Sequence, residues 1–195
     1  MKHKKYYGFT IVELLIVIVV IGVLAAISVA AYSDIKRRTE NTVRLVELRQ
    51  WEKLFVLYEA KNGDFPSVWP GDYCLGTGFP TKNDINSLIQ QWGVGEMITG
   101  TGNPDGYCRD LLWNSSRLEV NSSLNEQLAT IATLPGKENH SRVIKDLAAV
   151  GPYVSYWGYI RITALFNATS CPDGLQQGYT YNGQATMCFI ELKPS

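Results

Sequence analysis

One carboxylate, Glu13, stands inside the apolar stretch Phe9-Thr10-Ile11-Val12-Glu13-Leu14-Leu15-Ile16-Val17, and four cysteines, Cys74, Cys108, Cys171 and Cys188, lie far downstream. An acid at membrane depth calls for a cation, because leaving it unpaired there costs on the order of 2.5–3.5 kcal/mol on insertion scales. Cysteines can bridge in an oxidising compartment or hold zinc. No C-x-x-C occurs, and both histidines, His3 and His140, are remote from any cysteine in sequence, so disulfides are favoured over a metal. Nothing else is equipped for catalysis. Neither G-x-S-x-G nor H-E-x-x-H is present, and Gly76-Thr77-Gly78 and Gly100-Thr101-Gly102 lack the lysine or helix that a phosphate cradle needs. Asp64, Asp72, Asp105 and Asp173 sit in Gly-rich surroundings, but their spacing matches no calcium loop. The expectation is a chain without enzymatic activity, cofactor or metal.

The elements that must position these residues begin with a membrane helix. Leu14 to Ala31 is eighteen residues without a charge, and starting at Phe9 the stretch is twenty-three long. At 1.5 Å per residue that spans about 35 Å, enough for a hydrocarbon core of about 30 Å. A cleaved secretory signal is the rival reading, but its apolar region is usually only about 7–15 residues. Lys2, Lys4 and Lys5 precede the run, and Lys36, Arg37 and Arg38 follow it, so the positive-inside rule alone does not orient it. Formal net charge is zero, yet residues 62–195 hold eight Lys/Arg against twelve Asp/Glu. An acidic region of this kind gives no electrostatic reason to bind nucleic acid.

The basic leader, then Gly8, then the stretch from Phe9 to Val17 resembles the N-terminus of type IV pilins and the related pseudopilins. That resemblance covers about 30 of 195 residues. It implies that a prepilin peptidase cuts between Gly8 and Phe9 on the cytoplasmic side and methylates the new amine of Phe9. It also implies that Glu13 pairs with the terminal amine of a neighbouring, identical subunit as that subunit docks into a growing filament. An unpaired charge in a low-dielectric bundle is more costly than a pair, so the contact would favour one axial register. The alternative is that Glu13 reaches to the headgroups and has no partner. Gly22 matches a family glycine, whereas Ala30 stands where many members place a helix-breaking proline.

Beyond the membrane the helix is expected to continue. Residues 33–61 contain neither Pro nor Gly, and Leu48, Trp51, Phe55 and Tyr58 recur on one helical face, with Val43 and Leu54 flanking it. Arg37, Arg44, Glu47, Glu52 and Glu59 are expected on the opposite, solvated or subunit-facing side. Asn62-Gly63 and Pro66 supply a stop. After it, DYCLGTGFPTKND and GTGNPDGYCRD read as loops. Ser123 and Glu126 fit a capping box opening a helix with Leu124, Leu128 and Ile131, and a second short helix is expected over about 141–150. Strand-like runs come late, at 153–165, 178–181 and 185–192, the last two joined by Asn182-Gly183 as a hairpin. The fold class is therefore α+β, and the resemblance implies a pilin-like architecture with the long helix packed on an antiparallel sheet.

Four cysteines allow three pairings. The nearest-neighbour set is Cys74 with Cys108 and Cys171 with Cys188, and the second loop resembles the C-terminal disulfide loop of many pilins. On this reading residues 1–8 are a cleaved leader, 9–31 a transmembrane and assembly helix, 32–61 its amphipathic continuation and 62–195 an extracytoplasmic head. The precursor would sit in the inner membrane as a single-pass protein and the mature chain in an extracellular pilus. Its partners would be identical subunits, the peptidase, the assembly machinery and, before assembly, the lipid bilayer. Roles in adhesion, motility or surface attachment follow from the same resemblance. The alternatives are a minor pilin or a type II secretion or competence pseudopilin, and, in a different class, a single-pass anchored domain that binds something outside as a monomer. Such an anchor needs neither the acid at Glu13 nor a processed amine.

Overall fold

The computed structural model describes residues 10–108, 118–135, 142–144, 147–149, 151–181 and 183–193. The chain divides into two compact units, Met1–Thr39 and Glu40–Ser195. Helix α1, Ile11–Asn62, runs unbroken through Gly22 and Ala30. Gly63 ends it at φ +83°, a conformation that suits glycine, and its N–H returns to the Glu59 carbonyl at 2.7 Å.

In the second unit the order is β1 (Gly71–Cys74), α2 (Lys82–Trp92), α3 (Ser122–Ala129), β2 (Arg142–Ile144), β3 (Leu147–Ala149), β4 (Tyr153–Tyr156), β5 (Ile160–Phe166), β6 (Gln176–Tyr181) and β7 (Ala185–Leu192). Five strands form one antiparallel sheet in the order β1-β4-β5-β7-β6, and β2 pairs with β3 separately. The α+β class and the antiparallel sheet agree with the sequence reading.

Because side chains alternate along a strand, the sheet has two different faces. Val154, Ile162, Phe166 and Ile190 meet Leu48, Trp51 and Phe55 of α1, all buried. Tyr153, Leu165, Ala185 and Met187 face the other way and are covered by Phe79, Ile85, Ile89 and Tyr107. The aromatic stripe on α1 is thus core, since a fully buried Leu or Phe contributes about 1.5–3 kcal/mol.

Several local expectations are corrected. The segment 141–150 carries the β2–β3 hairpin rather than a helix. A ten-residue helix is marginal by itself, and the β-branched pair Val143-Ile144 favours extended backbone. Within DYCLGTGFPTKND the first residues form β1, and Lys82 opens α2. There the Thr81 backbone N–H and hydroxyl both donate to the Asp84 carboxylate, at 2.8 and 2.7 Å. Helix α3 is capped by Asn121, whose side chain accepts the Leu124 N–H at 3.0 Å, not by Ser123. The run 153–165 is two strands, turned at Trp157-Gly158-Tyr159. Finally, Arg44 and Glu47 are buried, each 3% exposed, rather than on a solvated side. They share a stripe with Leu48 and Trp51 at three- and four-residue spacing, and the Arg44 guanidinium donates to the Leu165 carbonyl at 3.1 Å.

Tyr156 supplies a test of this packing. Its ring lies 6.4 Å from that of Phe55 and 6.4 Å from that of Tyr73, and its hydroxyl is buried without a partner among the described residues. Burial, then the charges that Tyr58 and Tyr73 would carry, push this phenol above its ordinary range. The folded chain therefore holds the proton more tightly than the unfolded one. Stability tied to the group is full below about pH 10 and is lost above it. Tyr156→Phe is expected to be neutral or stabilising at pH 7, by at most about 2 kcal/mol, because it removes an unsatisfied hydroxyl. It should also flatten the alkaline loss. Urea melts at neutral and alkaline pH check both, and a destabilised variant at pH 7 would contradict them.

Candidate functional site

In the first unit, α1 presents its apolar side chains outward. Those from Ile11 to Ile27 are exposed, Ala25-Ala26 included. The helix is long and apolar enough to cross a membrane. Within the uncharged run the Ser28 hydroxyl is satisfied internally, as a lipid environment requires, donating to the Leu24 carbonyl at 2.8 Å.

Glu13 sits in the first turn and has a role that the sequence reading overlooked. Its Oε2 accepts the Thr10 backbone N–H and the Thr10 hydroxyl, both at 2.9 Å, while the Glu13 N–H donates to Thr10 Oγ1 at 3.2 Å. Thr10-x-x-Glu13 is a capping box, and the signal was in the sequence as a threonine three residues before a glutamate. Only one carboxylate oxygen is engaged in these bonds, and a carboxylate can accept about four in all. Gly8 and Phe9, the expected processing pair, lie outside the described residues.

In the second unit α1 meets the end of β5 through a polar cluster. The Asn167 backbone N–H donates to Asn41 Oδ1 at 2.8 Å, Asn41 returns its amide to the Asn167 carbonyl at 3.2 Å, and Asn167 Nδ2 donates to Glu40 at 2.9 Å. These bonds fix the axial position of residues 40–44 against the sheet. Composition gave no sign of them, since each partner is more than a hundred residues away. Asn167 is also an N-x-T sequon, but at 4% exposure it is closed to modification in the folded head.

Cys74 is bonded to Cys108 and Cys171 to Cys188, with Cα atoms 5.7 and 5.6 Å apart. The first bridge lies in the core beneath α2 and ties β1 to the loop before α3. The second joins β7 to the segment preceding β6. Three of the four aspartates in Gly-rich surroundings have separate partners: Asp64 accepts from the Phe65 N–H, Asp72 from the Trp157 indole and Asp105 from Ser122. Among the described residues no cluster of three or more potential ligands could hold a metal. Gly106 shows what shapes the loops: at φ +93° an added Cβ would lie 2.5 Å from the Phe79 carbonyl oxygen.

Comparison with known proteins follows the same residues. The family described as "Prokaryotic N-terminal methylation motif" matches residues 3–29. The chain is 46% identical over 116 residues to a fimbrial protein of Pseudomonas aeruginosa, covering 54% of this chain and 73% of that protein. It is 26% identical over 105 residues to the type IV major pilin protein PilE1 of Neisseria gonorrhoeae, 53% of this chain and 47% of that protein. With the type II secretion system core protein G of Pectobacterium carotovorum subsp. carotovorum it shares 27% identity over 105 residues, 49% of this chain and 67% of the relative. Measured by the Neisseria gonorrhoeae pilin, the match spans about half the length of the relative. No solved structure matches. The match to most of a fimbrial protein at 46% identity, joined to the methylation motif and to a long apolar helix continuing onto an antiparallel sheet, establishes that the chain belongs to the type IV pilin family.

Proposed function

We propose that this chain is a structural, non-enzymatic subunit of a type IV pilus or a related filament. In this reading a prepilin peptidase cuts between Gly8 and Phe9 and methylates the Phe9 amine. The apolar helix is kept, held first in the inner membrane and then in a bundle of identical subunits as the assembly machinery extrudes the fibre. The observation that carries this is the outward-facing apolar surface of α1 with one carboxylate, Glu13, in its first turn. An apolar helix can exchange lipid for neighbouring helices at little free-energy difference, because lipid tails are as apolar as its own side chains. A buried charge cannot make that exchange without a partner, and the Phe9 amine of a neighbour would be one. Residues 9–31 then form the assembly segment, 32–61 the continuation of the helix and 62–195 the exposed head. A pseudopilin is the second reading, favoured by the likeness to the secretion protein.

The test is expression of the chain in cells, once as the only subunit and once beside another pilin, followed by shearing and electron microscopy. Abundant fibres with this chain as their main band are expected of a major pilin, and a trace band in fibres built from another subunit is expected of a minor pilin or pseudopilin. Absence of the chain from every sheared fibre would contradict filament assembly.

A further inference from the structure

Among the described residues, the α2 region covers one half of the outer face of the sheet. Tyr153, Leu165, Ala185 and Met187 lie under the α2 region, but the opposite half carries a different set of side chains. Strand register runs a row across it: Asp72 opposite Ser155, Ser155 opposite Arg161, and Arg161 opposite Glu191. Beside this row, Trp157 is 56% and Tyr159 36% exposed.

The groups are held in place. The Trp157 indole N–H donates to Asp72 at 3.2 Å. Arg161 is ion-paired with Glu191 at 2.7 Å, and its guanidinium carbon lies 4.2 Å from the Tyr159 ring centre and 4.3 Å from that of Phe189. Ring faces are thus alternated with carboxylates and a guanidinium in fixed geometry, so little rotamer freedom remains to be lost on binding.

We propose that this half-face, built from Asp72, Trp157, Tyr159, Arg161, Phe189 and Glu191, binds a neutral oligosaccharide with a pyranose ring seated on the Trp157 indole. A sugar ring offers an apolar C–H face, which suits an indole, and an edge of hydroxyls that can donate to carboxylates and accept from guanidinium. Two carboxylates against one guanidinium leave the row net negative, which disfavours sulfated or sialylated glycans and phosphates. A protein partner fits less well, because the ionised row interrupts the continuous apolar centre such interfaces have. The site does not depend on filament assembly.

The test uses the full chain in zwitterionic detergent micelles, free of glycoside detergent, titrated with chitotetraose, cellotetraose and lacto-N-tetraose, and with a heparin tetrasaccharide as the anionic probe. Saturation-transfer NMR and tryptophan fluorescence read binding. At least one neutral tetrasaccharide should bind, and Trp157→Ala should weaken it by at least about tenfold. Asp72→Asn should weaken it by a smaller factor, and Tyr179→Ala on β6 should leave it unchanged. Intact disulfides and an unchanged far-ultraviolet spectrum show that the variants fold. Absence of binding by every neutral probe at millimolar concentration, preference for the heparin fragment, or undiminished binding by Trp157→Ala would each overturn the proposal. So would loss of acrylamide quenching at Trp157 on assembly, which would make a second copy the occupant.

Discussion

Glu13→Val, expressed as the sole subunit, is expected to reach the membrane at least as well as the unaltered chain and to form no filaments. Insertion improves because a charge costing on the order of 2.5–3.5 kcal/mol at membrane depth is removed. Assembly fails because the Phe9 amine of a neighbouring subunit loses its counter-ion inside an apolar bundle. The Thr10–Glu13 capping box complicates this variant, since valine also gives up the bonds to the Thr10 N–H and hydroxyl. Loss of a cap costs about 0.5–2 kcal/mol, which frays one turn of a 52-residue helix without unfolding it. Glu13→Gln separates the two roles. Glutamine preserves the capping bonds and removes the charge, so it should also give no filaments if charge pairing governs assembly. Aspartate keeps the charge with less reach and should be intermediate. Counting sheared fibres at matched membrane levels decides the matter, and abundant fibres from Glu13→Val or Glu13→Gln would sink the pairing role.

The second large effect belongs to the head. Replacing Cys74 and Cys108 together by alanine is expected to destabilise it by about 4 kcal/mol, the chain-entropy value for a loop of this length. The separation is 34 residues, against 17 for Cys171 and Cys188, for which the same treatment gives about 3 kcal/mol. Both sulfurs of the first bridge are buried, so lost packing adds to lost cross-linking. Since small domains are stable by only about 5–15 kcal/mol, the double variant should unfold at far lower urea concentration while its membrane insertion is unchanged. A shift of less than about 1 kcal/mol would contradict the expectation. Thiol labelling of exported protein without reductant should find no reactive cysteine, and four reactive thiols would rule out both bridges in the exported chain.

The parts of this fold that could be read from sequence were those governed by local physics. The uncharged run from Leu14, the stripe Leu48-Trp51-Phe55 and the Asn62-Gly63 stop are periodicity and termination signals, and α1 follows them. Tyr181 and Ala185 flank a turn dipeptide, and β6 and β7 pair around it. What escaped was set by distant partners or masked by composition. Arg44 and Glu47 look like solvated charges, yet both are buried, and Arg44 reaches the Leu165 carbonyl of β5. Helix α2 was hidden by the Gly, Pro and Asn around it, although Thr81 and Asp84 carried its capping signal and Ile85 and Ile89 its buried face. Glu13 was legible as an anomaly, and Thr10, three residues before it, carried the signal of the capping box. The row from Asp72 to Glu191 draws one residue from each of four strands, and only strand order brings those residues together.

The most direct test of the account is the mass and N-terminal sequence of this chain taken from sheared fibres. A chain that begins at Phe9, with a methylated amine and residues 1–8 absent, is the predicted result. It would mean that the apolar helix was processed, retained and carried into the filament. Fibres whose subunit still begins at Met1 would contradict the account at its base, because no free amine would then stand one helical turn from Glu13.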